Sequence, residues 1–408
     1  MKEVILYYLW QQQAFDREGL TTTDGQPIII HSVGILNTNA GPDFSVARLH
    51  IGDLEWHGSV EIHVKASEWR HHRHHQDSAY ERVVLHVVWE YDQDVYRSDG
   101  TVVPTLELRS RVDSSVLFRI QSLLENEQPF IPCAHLVNQV PAITKITQVE
   151  RAAIQRMERK AVEILELHKR QQGDWQETAY HGLLGSFGFK TNKEGMQQLA
   201  QALPLRWVRK RYHDSNQLAN LLLHQAGLSK YADGEEVLSL PPDLANRQLN
   251  LSVWRYSRTR PANFPHIRIK QLAVLLKKWQ ADVSWLLQIH PPTYYAQQFR
   301  TEATSDSAPL GNRSIDTLIV NTVVPLLTAY GLFYRNDAYQ QHAWSCLREV
   351  EAEDNKITRR YAELAFPRSS ALDTQGILEL YQNYCTKKQC LSCSIGATVL
   401  KKQSLFVS

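Results

Sequence analysis

Cysteine is scarce in this chain, with five in 408 residues, and three of them fall between positions 385 and 393. So few thiols, odd in number, exclude a disulfide-stapled secreted scaffold and leave metal ligation or plain thiols for the cluster. An excess of either charge is also lacking: 45 Lys and Arg stand against 43 Asp and Glu, a net +2. That balance excludes a highly charged tail and gives no global basic excess of the kind nucleic-acid binders usually show, while leaving a local basic groove open. No run approaches the roughly 18 apolar residues of a membrane-spanning helix. Met1 to Phe15 lacks the basic, apolar and small-residue order of a signal peptide. The expectation is a cytoplasmic protein with no membrane partner. Walker A, strand–GxGxxG–helix and Gly-x-Ser-x-Gly patterns are missing as well, which removes nucleotide-driven motors, dehydrogenases and α/β-hydrolases.

What is present changes character along the chain. Val4, Leu6, Tyr7, Leu9 and Trp10 form the broad apolar face of one helix. Pro27 to Leu36 is β-branched and predicts a first strand, and Asn37 to Pro42 is turn chemistry. Phe44 to Trp56 and Gly58 to Lys65 predict a hairpin turning near Gly52-Asp53 or His57-Gly58. A short helix is expected near Ser78 to Arg82, then a buried strand over Val83 to Tyr91 and a strand pair within Val95 to Leu108. Pro129 to Pro141 is proline-punctuated and predicts a linker. Beyond it the apolar spacing is helical, interrupted at Pro241-Pro242, Pro291-Pro292 and Pro325. The expected architecture is an α/β N-terminal domain with a mixed sheet (1–128), a linker (129–145) and an all-α C-terminal domain (146–408).

Chemistry concentrates between Asp43 and Lys65. On a strand, side chains alternate, so Val60, Ile62 and Val64 share one face and Glu61, His63 and Lys65 the other. Asp43 lies at the turn into the neighbouring strand, within reach of Glu61. Two converging carboxylates hold a divalent cation, Mg²⁺ or Mn²⁺ most naturally, and His63 or Lys65 would orient its water for phosphodiester hydrolysis. The competing reading is a surface hairpin in which Asp43 caps a turn and Glu61 and Lys65 are solvated cross-strand charges.

An acid after Pro42, then Glu61 and a basic residue on a following strand, within helix–strand–strand–strand–helix–strand order, resembles the PD-(D/E)XK nuclease superfamily. That resemblance covers roughly 90 residues. It implies a nuclease-like fold, metal on Asp43 and Glu61, and DNA or RNA as partner. His63 stands where the superfamily has Lys, with Lys65 one step further along. The activity it implies is a metal-dependent nuclease or phosphodiesterase. The alternative is a catalytically inactive scaffold that binds nucleic acid or protein. Three segments, GPDFSVARLHIGDLEWHGSVEIHVKASEW, RPANFPHIRIKQLA and YCTKKQCLSCSIG, also resemble an uncharacterised bacterial family of similar length that carries no assigned activity.

Eight of the seventeen histidines fall between His50 and His86, densest at Trp69 to His75, a transition-metal donor set or a surface loop. Under the nuclease reading Arg70 and Arg73 would contact phosphates. His86, within an apolar strand, is expected to be a hydrogen-bonded core residue. Cys385, Cys390 and Cys393 give C-x4-C-x2-C, enough for Zn²⁺ or an iron–sulfur cluster if Cys346 or Cys133 supplies a fourth thiol, with Lys387, Lys388, Lys401 and Lys402 steadying thiolates. Arg255, Arg258, Arg260, His266, Arg268 and Lys270, interleaved with Trp254, Tyr256 and Phe264, form a basic, aromatic stretch. It is either a nucleic-acid contact through Arg260 and Arg268 or an Arg-rich rim on a packed helix.

Overall fold

The computed structural model describes residues 1–37, 40–125, 130–233, 242–257, 259–301 and 309–402. The expected turn at Thr38-Asn39, Pro129, Pro241, Arg258 and the Lys402 side chain lie outside the described residues. The chain forms two compact units. One comprises Met1–Gln148 with Tyr381–Ser408, the other Val149–Leu380.

In the first unit, helix α1 (Glu3–Gln12) buries Leu6, Leu9 and Trp10. Strands β1 (Ile28–Ser32), β2 (Ile35–Leu36), β3 (Phe44–Ile51), β4 (Leu54–Lys65), β5 (Val83–Glu90) and β6 (Thr105–Glu107) make a mixed sheet in the order β1-β3-β4-β5-β6, with β2 also on β3. β1, β2 and β4 run antiparallel to β3, whereas β5 lies parallel to β4 and β6 parallel to β5. The β3–β4 hairpin turns at Gly52-Asp53, so β4 begins at Leu54.

A parallel neighbour needs a crossover. Here it holds helix α2 (Glu68–His71) and two short 3₁₀ turns, His74–Gln76 and Ser78–Tyr80, in place of one helix at 78–82. Flanked on both edges, β4 is buried at four successive residues, Val60 to His63, so its polar face there is covered rather than solvated. β5 is buried from Val83 to Val88, as its continuous apolar run requires. Of the strand pair expected at 95–108, only β6 and a Tyr96–Val102 bridge form.

Between Phe44 and Ala47, β3 advances three residues while β4 advances two, a β-bulge in which Val46 has φ 57°. The bulge directly follows Asp43. At Gly58 an added Cβ would lie 2.5 Å from both the Arg82 carbonyl oxygen and a Val84 methyl, so glycine lets the start of β5 close on β4.

The segment 130–140 is packed, with Ile131, Cys133, Val137 and Val140 buried, and therefore does not behave as a tether. The chain also returns to this unit: Ile395, Val399 and Leu400 of helix Ser394–Lys402 are buried, and the Ser394 amide donates to Gln148 Oε1 at 2.9 Å. The expected single boundary near 145 is thus replaced by two, at 148/149 and 380/381.

The second unit is helical, with a core that includes Leu183, Leu221, Leu275 and Leu326. The long helix α3 (Ala142–Arg170) carries the chain across the boundary into it. Residues Asn312–Tyr334 are long and apolar enough to cross a membrane, yet two-thirds (67%) of the most apolar stretch is buried as core. Ahead of Pro325 the helix widens into a π-turn over Ile319–Val323.

Candidate metal centre

Strand β4 presents Glu61 and His63 on one face, as the alternation requires, and both are buried. Parallel pairing places His86 of β5 opposite Glu61. The crossover then lays α2 and the first 3₁₀ turn over the same face, delivering His72 and His74. Arg73, between them, takes a left-handed conformation (φ 61°), which reverses the chain so that both rings turn back. Buried Trp69 sits edge-on to His74, and Tyr80 stacks on His74 with ring centroids 3.7 Å apart.

Donor nitrogens of His63, His72 and His74 lie within 4.8 Å of one another. His63 Nε2 is 3.1 Å from His72 Nδ1 and 3.6 Å from Glu61 Oε1, and His74 Nε2 is 3.2 Å from the same Glu61 oxygen. An ion with bonds of about 2.0–2.1 Å in tetrahedral geometry sets its ligands about 3.3–3.4 Å apart, so these separations suit co-ligands. Among the described residues His74 Nε2 nevertheless has no hydrogen-bond partner. Two donor atoms side by side and not bonded to each other are what a shared ion would satisfy.

The other nitrogen of His63, Nδ1, lies 2.8 Å from His86 Nε2. That contact orients the His63 ring so that Nε2 faces His72 Nδ1 and Glu61, the first of them at hydrogen-bond distance. Burial, followed by the neighbouring imidazoles of His86, His74 and His72, depresses His63 to about 2. Burial, then His74, depresses His86 to about 3. Both are neutral at physiological pH, the state metal binding requires. His72 is exposed, so the group is open to solvent on one side.

Asp43 joins this group from the edge. Tyr7 of α1 donates its hydroxyl to Asp43 Oδ1 at 2.8 Å, the Ile62 amide donates to Oδ2 at 2.9 Å, and the Asp43 amide donates to Glu61 Oε2 at 3.0 Å. Burial, followed by the Glu61 charge, raises the Asp43 carboxyl to about 7, against the two hydrogen bonds it accepts. A cation between two such carboxylates would relieve their repulsion.

Lys65 does not join them. It is exposed and faces Glu90 of β5 at 3.8 Å, in line with its register partner. Arg70 and Arg73 are exposed on the crossover beside the histidines. In the second unit Arg260 is exposed, whereas Arg268 is only 5% exposed and is not presented as a surface phosphate contact. Trp254 is buried with its indole N–H on the Ala226 carbonyl, so that aromatic packs instead of stacking on bases.

The cysteines divide. Cys133, Cys390 and Cys393 are buried in the first unit. Burial, then Cys393 and Cys390, pushes the Cys133 thiol up to about 12, so the three lie within electrostatic reach of one another. Cys385 ends the turn Leu380–Cys385 and is half-buried. Cys346 belongs to the second unit, its sulfur 3.4 Å from His342 Nε2. No disulfide links the five.

The sequence pointed to Glu61 and His63 through alternation and to the histidine-rich run as a whole. It held no signal that selects His72 and His74 over their neighbours. No curated protein and no solved structure matches the chain. Residues 3–356 match the family model described as a protein of unknown function (DUF2851), and the chain belongs to that family.

Proposed function

We propose that the first unit is a metal-dependent phosphodiesterase acting on nucleic acid, with a transition-metal ion on His63, His72 and His74 and Glu61 as the adjoining acid. The observation that carries it is the set of separations of 3.1–3.6 Å among His63, His72, His74 and Glu61, with an orphaned His74 nitrogen. Three imidazoles suit Zn²⁺, Fe²⁺ or Ni²⁺ better than Mg²⁺, which prefers oxygen ligands, so the nitrogen-rich set displaces the magnesium expectation. When bound, the ion would polarise a phosphoryl oxygen and acidify a water.

The chain's own residues supply the rest. His86 holds the His63 ring, and Tyr7 and the Ile62 amide hold Asp43, whose raised carboxyl would suit it as a proton acceptor. Arg70 and Arg73 stand at the exposed side, where they would meet phosphates. The superfamily resemblance supports the phosphodiester as substrate, since Asp43 and Glu61 occupy the matching positions. Lys65, turned away towards Glu90, favours a second reading: a binding scaffold that keeps the ion and has lost turnover.

Elemental analysis of the purified chain tests the first step, with the wild type expected to hold about one equivalent more of a transition metal than His63→Ala. Hydrolysis of bis-p-nitrophenyl phosphate, DNA and RNA tests the second. Glu61→Gln and Asp43→Asn are expected to lose at least 100-fold in kcat. Metal-loaded protein inert on all three substrates would leave the scaffold, and metal-free wild type would end both readings.

A second, structural ion, Zn²⁺ or an iron–sulfur cluster, is proposed on Cys133, Cys385, Cys390 and Cys393 from their spacing and shared unit; it would have to draw the thiols together, since among the described residues the donor set found within 4.8 Å is the three histidines. Cys133→Ser should lose that ion and Cys346→Ser should keep it, because only Cys133 shares a unit with the C-terminal thiols. Equal loss in both variants would refute the assignment.

A further inference from the structure

In the second unit, Arg268 lines a surface pocket of about 420 Å³ together with Asn263, Phe264, Ile267, Gln271 and Ser314. Arg268 is buried as a residue, and its guanidinium faces no carboxylate among the described residues. A guanidinium does not shed its proton in a protein, so a buried one without a counter-charge is costly. Every acceptor it has is neutral: Nη1 donates to Gln271 Oε1 at 2.9 Å, and Nη2 donates to Asn263 Oδ1 and to Ser314 Oγ. Nε has no acceptor among the described residues. The Phe189 ring lies 4.4 Å below the guanidinium and fixes its plane.

We infer that this pocket binds a small anionic molecule, with one carboxylate or phosphate group on Arg268 and an apolar body against Phe264 and Ile267. The anion would take the idle Nε–H and neutralise the charge. Ser314 and Asn263 carry further O–H and N–H donors that can turn towards it. The helix Pro265–Lys278 begins at the pocket without a side-chain cap, and its dipole adds to the attraction. Burial alone holds the guanidinium down to about 10, consistent with a charge that lacks its partner. Phe264 and Ile267, with Pro261 and Pro309, give the apolar wall, which a bare inorganic ion would leave uncovered.

Titration calorimetry of the full chain with benzoate, phenyl phosphate and neutral benzyl alcohol tests this. At least one anion should bind at 1:1, at least tenfold tighter than benzyl alcohol, and the stronger of the two identifies the group. Arg268→Lys should weaken that anion at least tenfold and Ser314→Ala several-fold, with native far-UV circular dichroism. Should Arg268→Lys fail to fold, Ser314→Ala and Asn263→Ala carry the comparison. Binding of neither anion, no preference over benzyl alcohol, or folded variants with unchanged affinity would overturn the proposal.

Discussion

His86 has one ring nitrogen on His63 and the other without a partner among the described residues, in a site of zero exposure. A polar group kept there at a desolvation cost is explained by what it does to His63. Outer partners of ligating histidines typically contribute 10–100-fold in metal affinity. His86→Leu should therefore weaken metal binding by about that factor in competition with a chelator, while leaving stoichiometry at saturation unchanged. An unaltered affinity would reduce His86 to packing. Lys160, in the second unit, makes a separate case. Burial, followed by the Arg156 charge, pushes its ammonium down to about 7, although it donates to Asn321 and Gln375. An unfolded lysine keeps its proton to about 10.4, so between those values unfolding takes up a proton and stability rises with pH. Lys160→Met should remove from that rise a slope of up to about 1.4 kcal/mol per pH unit, read from urea midpoints between pH 6.5 and 9.5. Parallel curves for the two proteins would contradict the depressed value.

At the scale of elements, the bulge in β3 is the device that aims Asp43. Val46, exposed and β-branched, occupies the left-handed region, which costs an ordinary residue roughly 1–2 kcal/mol. Val46→Gly should accordingly stabilise by about 0.5–1 kcal/mol, the remainder being lost to the greater freedom of glycine in the unfolded chain. Deleting Val46 is a different matter. Removing the extra residue shifts register by one and turns Asp43 and Phe44 to opposite faces. The deletion should leave Asp43 off Tyr7 and Glu61 and, in the hydrolysis assay of the proposed activity, match Asp43→Asn, whereas Val46→Gly should match wild type. Comparable loss in both would mean that the side chain, not the count, matters. Alternation made Glu61 and His63 legible on β4 because period two is a local property of an extended backbone. Lys65 shares their face in the sequence but lies beyond the crossover's cover, so the same rule could not tell that it meets solvent and Glu90. Arg268 shows the converse failure, since helical spacing cannot say which rim arginine is folded inward.

For the whole molecule, the C-terminal segment is a structural member of the first unit. The turn Cys390–Ser392 packs against α1, which carries Tyr7 to Asp43. Leu391, Ile395, Val399 and Leu400 bury four apolar side chains there. At about 1.5–3 kcal/mol each, their burial is worth roughly 6–12 kcal/mol as an upper bound, comparable to the whole stability of a domain. Truncation after Leu380 should thus abolish the first unit's calorimetric unfolding transition, and with it the proposed metal binding, and leave the second unit's transition. Retention of both transitions would show that the segment is dispensable. The residues by themselves determined the helices, the strands and their faces, the absence of nucleotide and hydrolase signatures, and the spacing of the C-terminal thiols, all of which depend on neighbours a few positions away. Only the tertiary structure decided that His72, His74 and His86 meet Glu61 and His63, that Cys133 and not Cys346 shares a unit with those thiols, and that Arg268 is withdrawn into a pocket. Those outcomes follow from parallel pairing of β4 with β5, from the chain reversal at Arg73 and from the return of the C-terminus, and long-range closure leaves no periodic trace in the order of residues.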